Sequence, residues 1–292
     1  MKIIVTGSLG NIGKKLATML VAGGQDVTVV TSQEKRRAAI ENLGATAAIG
    51  SVSDATFLAQ TFAGADSVFV LTPPALGGSD VIANTANAGK AFAEAFKTAN
   101  VKRVVMLSSI GADLPGGTGP IEGLYHIEQA FRQLKGINIT FLRAGYFYTN
   151  YYNDVTLIKT AGILGSNLPG ETLIPLVHPQ DIATAAAEEL QQSGNGTHVR
   201  YIVSDYRTAA EVAQALGKAI GKPELPWVPF SDEQFVEGAT QAGVPAEMAH
   251  LYADMGAGLR KGAIQSDFAK TGATVTGTTK LEDFAKEFAG AF

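Results

Sequence analysis

The stretch IIVTGSLGNIGKKLATML, residues 3–20, decides the fold. Its first part is β-branched and apolar and reads as a strand ending at Thr6, whereas residues 12–21 carry apolar side chains at helical spacing. Glycines stand between them at positions 7, 10 and 13. Each has a physical task if the turn receives a phosphate. Gly7 lets the chain turn tightly, Gly10 lets backbone N–H groups approach an anion, and Gly13 lets helix and strand pack closely. Ser8, Asn11 and Ile12 fill the same turn, and the start of the helix faces the anion. A bare glycine motif is weak, because turns contain glycine anyway. Its place between a first strand and a first helix makes it a pyrophosphate-binding signal. The spacing is G-x-x-G-x-x-G, not the G-x-G-x-x-G frequent in dehydrogenases.

The same alternation continues outward. Strand-like runs at 3–5, 27–30, 47–49, 68–71, 104–107 and 139–142 are separated by helical patterns at 12–21, 34–42, 55–62, 82–98 and 125–134. Continuous apolar strands alternating with helices indicate βαβ units and a parallel sheet covered on both faces. After Arg143 the pattern turns aromatic, then rich in Gly and Pro. Helix starts follow at Pro179 and, with capping-box spacing, at Thr208 with Glu211, Ser231 with Gln234 and Thr279 with Glu282. The expected architecture is α/β: a Rossmann-like doubly wound parallel sheet over residues 1–150, the NAD(P)-binding domain. A smaller, mostly helical lobe is expected over 151–292, with segments returning to the sheet.

Composition narrows the function. The 292 residues are 46% hydrophobic and 17% charged, enough for a sizeable core. The net charge is −4 and the longest basic run is Lys35-Arg36-Arg37, so no nucleic-acid partner is expected. There is no cysteine, which excludes disulfides, thiolate metal sites and a Cys nucleophile. No metal site is expected. No window holds the roughly 18 apolar residues of a membrane span, and the chain begins directly in a strand-like segment. A cytoplasmic protein, monomer or homodimer, is the expectation.

The end of the second strand bears on the cofactor. An NAD-preferring site places Asp or Glu there for the ribose hydroxyls. The sequence at 29–37 is VVTSQEKRR, with Thr31 and Ser32 in that place and Lys35 and Arg36 following. Hydroxyls and cations suit a 2′-phosphate, so NADP(H) is expected over NAD(H). The other reading of Lys35 and Arg36, a solvated helix start, stays open. LTPPAL at 71–76 offers Thr72 and Pro73 at a further strand end. MLSSIGAD at 106–113 offers Ser108 to the cofactor and Ser109 to the substrate, although paired serines are also ordinary turn formers.

Taken together, TGSLGNIG (6–13), VVTSQEK (29–35), LTPP (71–74), VVMLSSIGA (104–112), YHIEQAFRQLKGINITFLRAGYFYTNYY (125–152) and PLVHPQDIATAAAEEL (175–190) resemble the NmrA-like, atypical short-chain dehydrogenase/reductases. Residues 230–262 are similar to the bacterial NAD(P)H:quinone oxidoreductases of that family. The wider superfamily uses a Ser and a Tyr-x-x-x-Lys pair, in which Lys activates the tyrosine. Here Tyr125 is followed at the fourth position by Gln129, which cannot stabilise a phenolate. The NmrA-like variant of this segment carries a His and a downstream Glu, matched by His126 and Glu128. Tyr125 and His126 are therefore the candidate proton donors. A structural role for His126 stays open, and Glu128 is expected to pair with Arg143. GYFYTNYY (145–152) offers Tyr146, Tyr148 and Asn150 to a planar acceptor, against core packing as the alternative. His178 and Asp181 read as turn and cap residues.

The resemblance implies an NADPH-dependent oxidoreductase passing hydride to a quinone or similar planar acceptor. The alternative is a non-catalytic, NAD(P)-sensing regulator. A sugar-nucleotide epimerase is a weaker third, because that chemistry leans on the missing Tyr–Lys pair.

Overall fold

The computed structural model describes residues 1–73 and 79–292. The chain divides into two units. The first comprises Met1–Ser109, Gly123–Arg143 and Ile182–Arg200; the second comprises Ile110–Glu122, Ala144–Asp181 and Tyr201–Phe292.

In the first unit, β1 (Lys2–Val5) leads through the glycine turn to α1 (Gly13–Ala22) and β2 (Asp26–Thr31). A 3-10 turn (Glu34–Arg36) opens α2 (Arg37–Glu41). Then follow β3 (Thr46–Ile49), α3 (Ala55–Phe62), β4 (Ser67–Val70), α4 (Val81–Thr98), β5 (Arg103–Ser109), α5 (Ile121–Arg132) and β6 (Asn138–Ala144). All the strands foreseen in this half are present. Helix α5 starts at Ile121, one turn earlier than the expected 125.

The remaining elements are β7 (Tyr146–Phe147), a second 3-10 segment (Tyr148–Asp154), α6 (Val155–Ala161), β8 (Leu164–Ser166), β9 (Leu173–Val177) and α7 (Pro179–Leu190). After them come β10 (Thr197–Ile202), β11 (Asp205–Thr208), α8 (Ala209–Ala219), β12 (Trp227–Pro229), α9 (Asp232–Gln241), α10 (Ala246–Arg260), α11 (Ser266–Lys270) and α12 (Leu281–Ala289).

The main sheet has seven strands in the order β10-β6-β5-β4-β1-β2-β3. β1 lies parallel between β2 and β4, with Val5 opposite Val29 and Phe69. From β1 the chain winds outward through β2 and β3, then returns to β4 on the other side of β1. That reversal opens a crevice beyond the carboxyl ends of β1 and β4, where ligands of open α/β sheets bind. One face of the sheet is sealed by a core in which Phe62, Phe92, Phe96 and Phe131 are fully buried. Phe96 stacks on Phe62 at 5.6 Å and meets Phe131 edge-on at 5.3 Å. Burying each such ring contributes roughly 2–3 kcal/mol, which keeps α3, α4 and α5 fixed beneath the strands.

The second unit has a three-stranded sheet, β11-β9-β7, and a β12-β8 pair. Its helix starts test the capping reading. Thr208 and Ser231 each form the reciprocal capping box foreseen for them. Thr279 does not. The residue preceding α12 is Lys280, whose side chain makes no cap bond, and the Leu281 N–H donates instead to Asp205 Oδ2 at 3.4 Å. Thr279 instead gives its N–H and its hydroxyl to Asp181, at 3.1 and 3.2 Å. A buried carboxylate needs donors more than an exposed helix end does. No helix among the described residues is long and apolar enough to cross a membrane.

Candidate functional site

Two of the three glycines of the turn are required by the fold itself. Gly7 has φ +93°, and a Cβ on it would lie 2.9 Å from Leu71 Cδ2. A Cβ on Gly13 would lie 2.0 Å from the Ser8 carbonyl oxygen. Gly10 is different: it is exposed, and its Cβ would meet only the Gly7 carbonyl oxygen, at 3.6 Å. Nothing in the packing demands a glycine there, and a side chain would fill open space at the mouth of the turn. Behind it, the residue that precedes α1 is Ile12, whose side chain offers no cap hydrogen bond. Backbone N–H groups at a helix start, beside space that a side chain would take, are what an anion requires. Asn11 is exposed at the same turn and Ile12 is buried beneath it.

The ends of β1 and β2 are tied by side chains. The Ser8 N–H donates to the Val30 carbonyl at 3.1 Å and holds Ser8 in the left-handed region, φ 59°. The Ser8 hydroxyl donates to Thr31 Oγ1 at 3.0 Å, and Arg36 Nη1 donates to Ser8 Oγ at 3.0 Å. Arg36 is steadied further by Gln33 Oε1 at 3.3 Å. A cation is thus docked beside the turn. The nearby carboxylate, Glu34, is engaged by Arg37 at 2.6 Å, which lowers its pKa. Ser32 and Lys35 are exposed. At the end of β4, Thr72 Oγ1 is buried and has no hydrogen-bond partner, and Pro73 follows it half-buried. Residues 74–76 of the LTPPAL stretch lie outside the described residues.

On α5, Glu128 is fully buried and holds the pairing foreseen for it. Arg143 donates to it through Nε and Nη2 at 3.0 and 2.8 Å, Arg132 at 3.1 Å, and the Ser108 hydroxyl at 2.7 Å. Removing one partner from such a buried pair costs about 3–5 kcal/mol. Ser108, expected at the cofactor, is buried and its hydroxyl is committed to Glu128. Ser109, next along, is half-buried. Tyr125 is half-buried and its ring meets that of the exposed His126 edge-on at 5.4 Å. Gln129 stands one turn on, partly buried, and the next lysine along the chain, Lys135, is exposed beyond the helix end.

The aromatic stretch of the second unit separates into core and surface. Tyr148, expected at the acceptor, is fully buried. Its ring stacks on Phe284 at 5.2 Å, and its hydroxyl donates to the Thr279 carbonyl at 3.4 Å. This expectation is corrected: the large flat ring is worth more in the core than at a wet surface. Tyr146 and Asn150 are partly exposed, with the Asn150 side chain hydrogen-bonded to the Tyr146 phenol. Burial, and secondarily the Asp154 carboxyl, raises that phenol above its usual range. Sequence reasoning passed over Asp154; a lone acid closing a run of aromatic residues was the only signal for it. His178 takes its turn role, Nδ1 accepting from the Gln180 N–H at 3.1 Å. Asp181 does not cap its own helix. Burial raises its pKa, but the Ser204 hydroxyl at 2.6 Å and the donors of Thr278 and Thr279 outweigh this and hold the carboxyl below its usual range. No group of three or more His, Cys, Asp or Glu residues that could hold a metal occurs among the described residues.

A glycine turn between a first strand and a first helix, at the switch point of a parallel sheet, is the phosphate-binding arrangement of Rossmann-like dinucleotide-binding proteins. Within that class the chain belongs to the NmrA-like family, whose model matches residues 1–283. It is 27% identical over 293 residues to the NAD(P)H azoreductase of Xenophilus azovorans, covering 99% of both chains. Among solved structures it is similar to the NADPH-dependent quinone oxidoreductase QOR2 of Escherichia coli complexed with NADPH, with a TM-score of 0.82 and 22% identity over 98% of this chain and 99% of that one. The triphenylmethane reductase of Citrobacter sp. complexed with NADP(H) gives a TM-score of 0.75 and 24% identity over 98% and 99%. At these identities the solved structures speak to the fold.

Proposed function

We propose that this protein is an NADPH-dependent oxidoreductase that reduces a quinone or a related planar acceptor. The observation that carries the reading is the Arg36–Ser8–Thr31 chain beside the glycine turn. It puts a guanidinium and two hydroxyls where an NAD site keeps a carboxylate, and a cation there favours a 2′-phosphate. The start of α1 with the open space at Gly10 suits the pyrophosphate, and the unpartnered Thr72 hydroxyl suits a ribose. The relatives point the same way, being named for NAD(P)H-dependent reduction of azo, quinone and dye compounds.

When bound, the nicotinamide supplies a hydride. The chain's own residues then have modest tasks. Gly7, Ser8, Gly10 and Gly13 receive the phosphates, Thr31 and Arg36 select the phosphorylated ribose, and the Glu128–Arg143 pair fixes α5 against β6. With Gln129 in place of the superfamily lysine, Tyr125 lacks the cation that would lower its pKa. The fitting acceptors are those needing little acid assistance, and quinones are such acceptors. Tyr146, Asn150 and Ser109 are the proposed acceptor contacts, and Tyr125 and His126 the proposed proton donors of α5.

The same missing lysine favours the second reading, a cofactor sensor without turnover. Mixing the protein with NADPH and a panel of quinones separates the two. The oxidoreductase reading expects loss of the reduced-nicotinamide absorbance. Tight NADPH binding without oxidation by any acceptor would leave the sensor. Arg36→Ala is expected to weaken NADPH about 10–100-fold while sparing NADH, since a charge-assisted contact contributes roughly 1.5–3 kcal/mol; equal loss for both cofactors would overturn the assignment of Arg36.

A further inference from the structure

The second unit carries an acid that this reading does not use. Tyr146, Asn150, Tyr151 and Asp154 lie on one short length of chain, and Tyr252 of α10 acts on the Tyr146 phenol. The Tyr146 and Tyr151 rings meet edge-on at 5.6 Å. Tyr151 is 3% exposed and its hydroxyl has no hydrogen-bond partner. A buried O–H without an acceptor costs about 1–3 kcal/mol and calls for an explanation, of which an absent ligand is one. Asp154 immediately precedes α6, yet its carboxyl makes no cap hydrogen bond to that helix. Tyr146, Asn150, Asp154 and Tyr252 are each only partly buried as residues.

We propose that Tyr146, Tyr151 and Asp154 form a proton-donating site for an oxygen-bearing planar acceptor, with Asp154 the group that gives up and regains the proton. This rests on the acceptor class proposed above. Two phenols and a carboxylic acid all offer O–H donors, whereas a quinone oxygen can only accept. Burial raises Asp154 to about 7, so near neutrality its carboxyl is poised between acid and carboxylate. Burial also raises both phenols, with Asp154 adding to the effect, so Tyr146 and Tyr151 stay protonated donors. Charges on the packed helices act elsewhere. Glu282 and Glu287 of α12 act on Tyr148 and Tyr152, and Lys159 of α6 donates to the Ala291 carbonyl. An acceptor reduced by hydride, as in the reading above, would bear an oxyanion. The Asp154 O–H bond breaks, the proton passes to that oxygen to form a hydroxyl, and the carboxylate takes a replacement proton from water.

Two measurements on the full chain without cofactor test the proposal. Infrared titration is expected to show a protonated-carboxyl band that disappears as pH rises through about 7 and is missing from Asp154→Asn; no such band, or the same band in the variant, overturns it. Calorimetric titration with 1,4-naphthoquinone, compared between the wild type and the site variants, reads the site. Wild-type affinity is expected to fall about tenfold between roughly pH 6 and pH 8, as a donor becomes an anion facing carbonyl oxygens. Asp154→Asn should show a flat profile, and Tyr151→Phe should bind several-fold more weakly throughout. Binding that is absent, or independent of pH in the wild type, overturns the proposal. The sign on stability is fixed too: a carboxyl raised from 3.8 to about 7 stabilises the fold below its unfolded value and loses that contribution as pH rises through 7. Asp154→Asn therefore folds, and is the more stable form above neutrality. None of these readouts uses turnover. A protein that passes them yet never oxidises NADPH loses the oxidoreductase reading and keeps the proton-donating site.

Discussion

Gly10 differs from the other two glycines of its turn in what the fold asks of it. Gly7 and Gly13 are held by contacts of 2.9 and 2.0 Å that any Cβ would make, whereas Gly10 has open space around it. Gly10→Val is accordingly expected to leave the thermal midpoint within a degree or two, while NADPH affinity falls by a hundredfold or more. Gly13→Val is expected to destabilise the fold outright, because its clash is with backbone that cannot move aside. Thermal melts paired with cofactor titration check both. The motif was legible as three glycines with three tasks. Which of them the fold itself requires was not, since for Gly7 that depends on Leu71, which the pairing of β1 with β4 brings to the turn.

Helix ends show the same division one level up. At Thr208 the sequence spacing and the structure agree: the hydroxyl accepts from the Glu211 N–H at 3.2 Å, and the Glu211 carboxylate accepts from the Thr208 N–H at 2.7 Å. Thr208→Ala is expected to cost about 1 kcal/mol in urea denaturation. Thr279 has the same local spacing and a different partner, so its substitution should behave differently. Thr279→Ala and Asp181→Asn are expected to be non-additive by about 0.5–3 kcal/mol in a double-mutant cycle, as befits groups sharing one hydrogen-bonded cluster; strict additivity would contradict the observed bonding. A capping box is a four-residue signal and was readable wherever no distant carboxylate competed for the hydroxyl. Asp181 lies about a hundred positions away in sequence, and no local pattern announces it.

For the molecule as a whole, a cofactor that binds only the native state must raise its stability by mass action. NADPH at about a hundred times its dissociation constant should add about 2.7 kcal/mol, and NADH at the same concentration should add less. Thermal unfolding with each nucleotide measures the difference, and equal shifts would contradict the placing of Arg36 at a 2′-phosphate. By itself the sequence determined the α/β class, the phosphate-binding turn, the absence of a carboxylate at the end of β2, and the Glu128–Arg143 pair. Periodicity, glycine spacing and a charge in an apolar strand are all written in short lengths of chain. Tertiary structure alone decided that Arg36 docks on Ser8, that Ser108 serves Glu128, that Tyr148 belongs to the core, and that Asp154 is raised towards neutrality. Those outcomes depend on which distant side chains and how much solvent surround each group. Burial and pairing are properties of the folded neighbourhood, and the linear order of residues does not carry them.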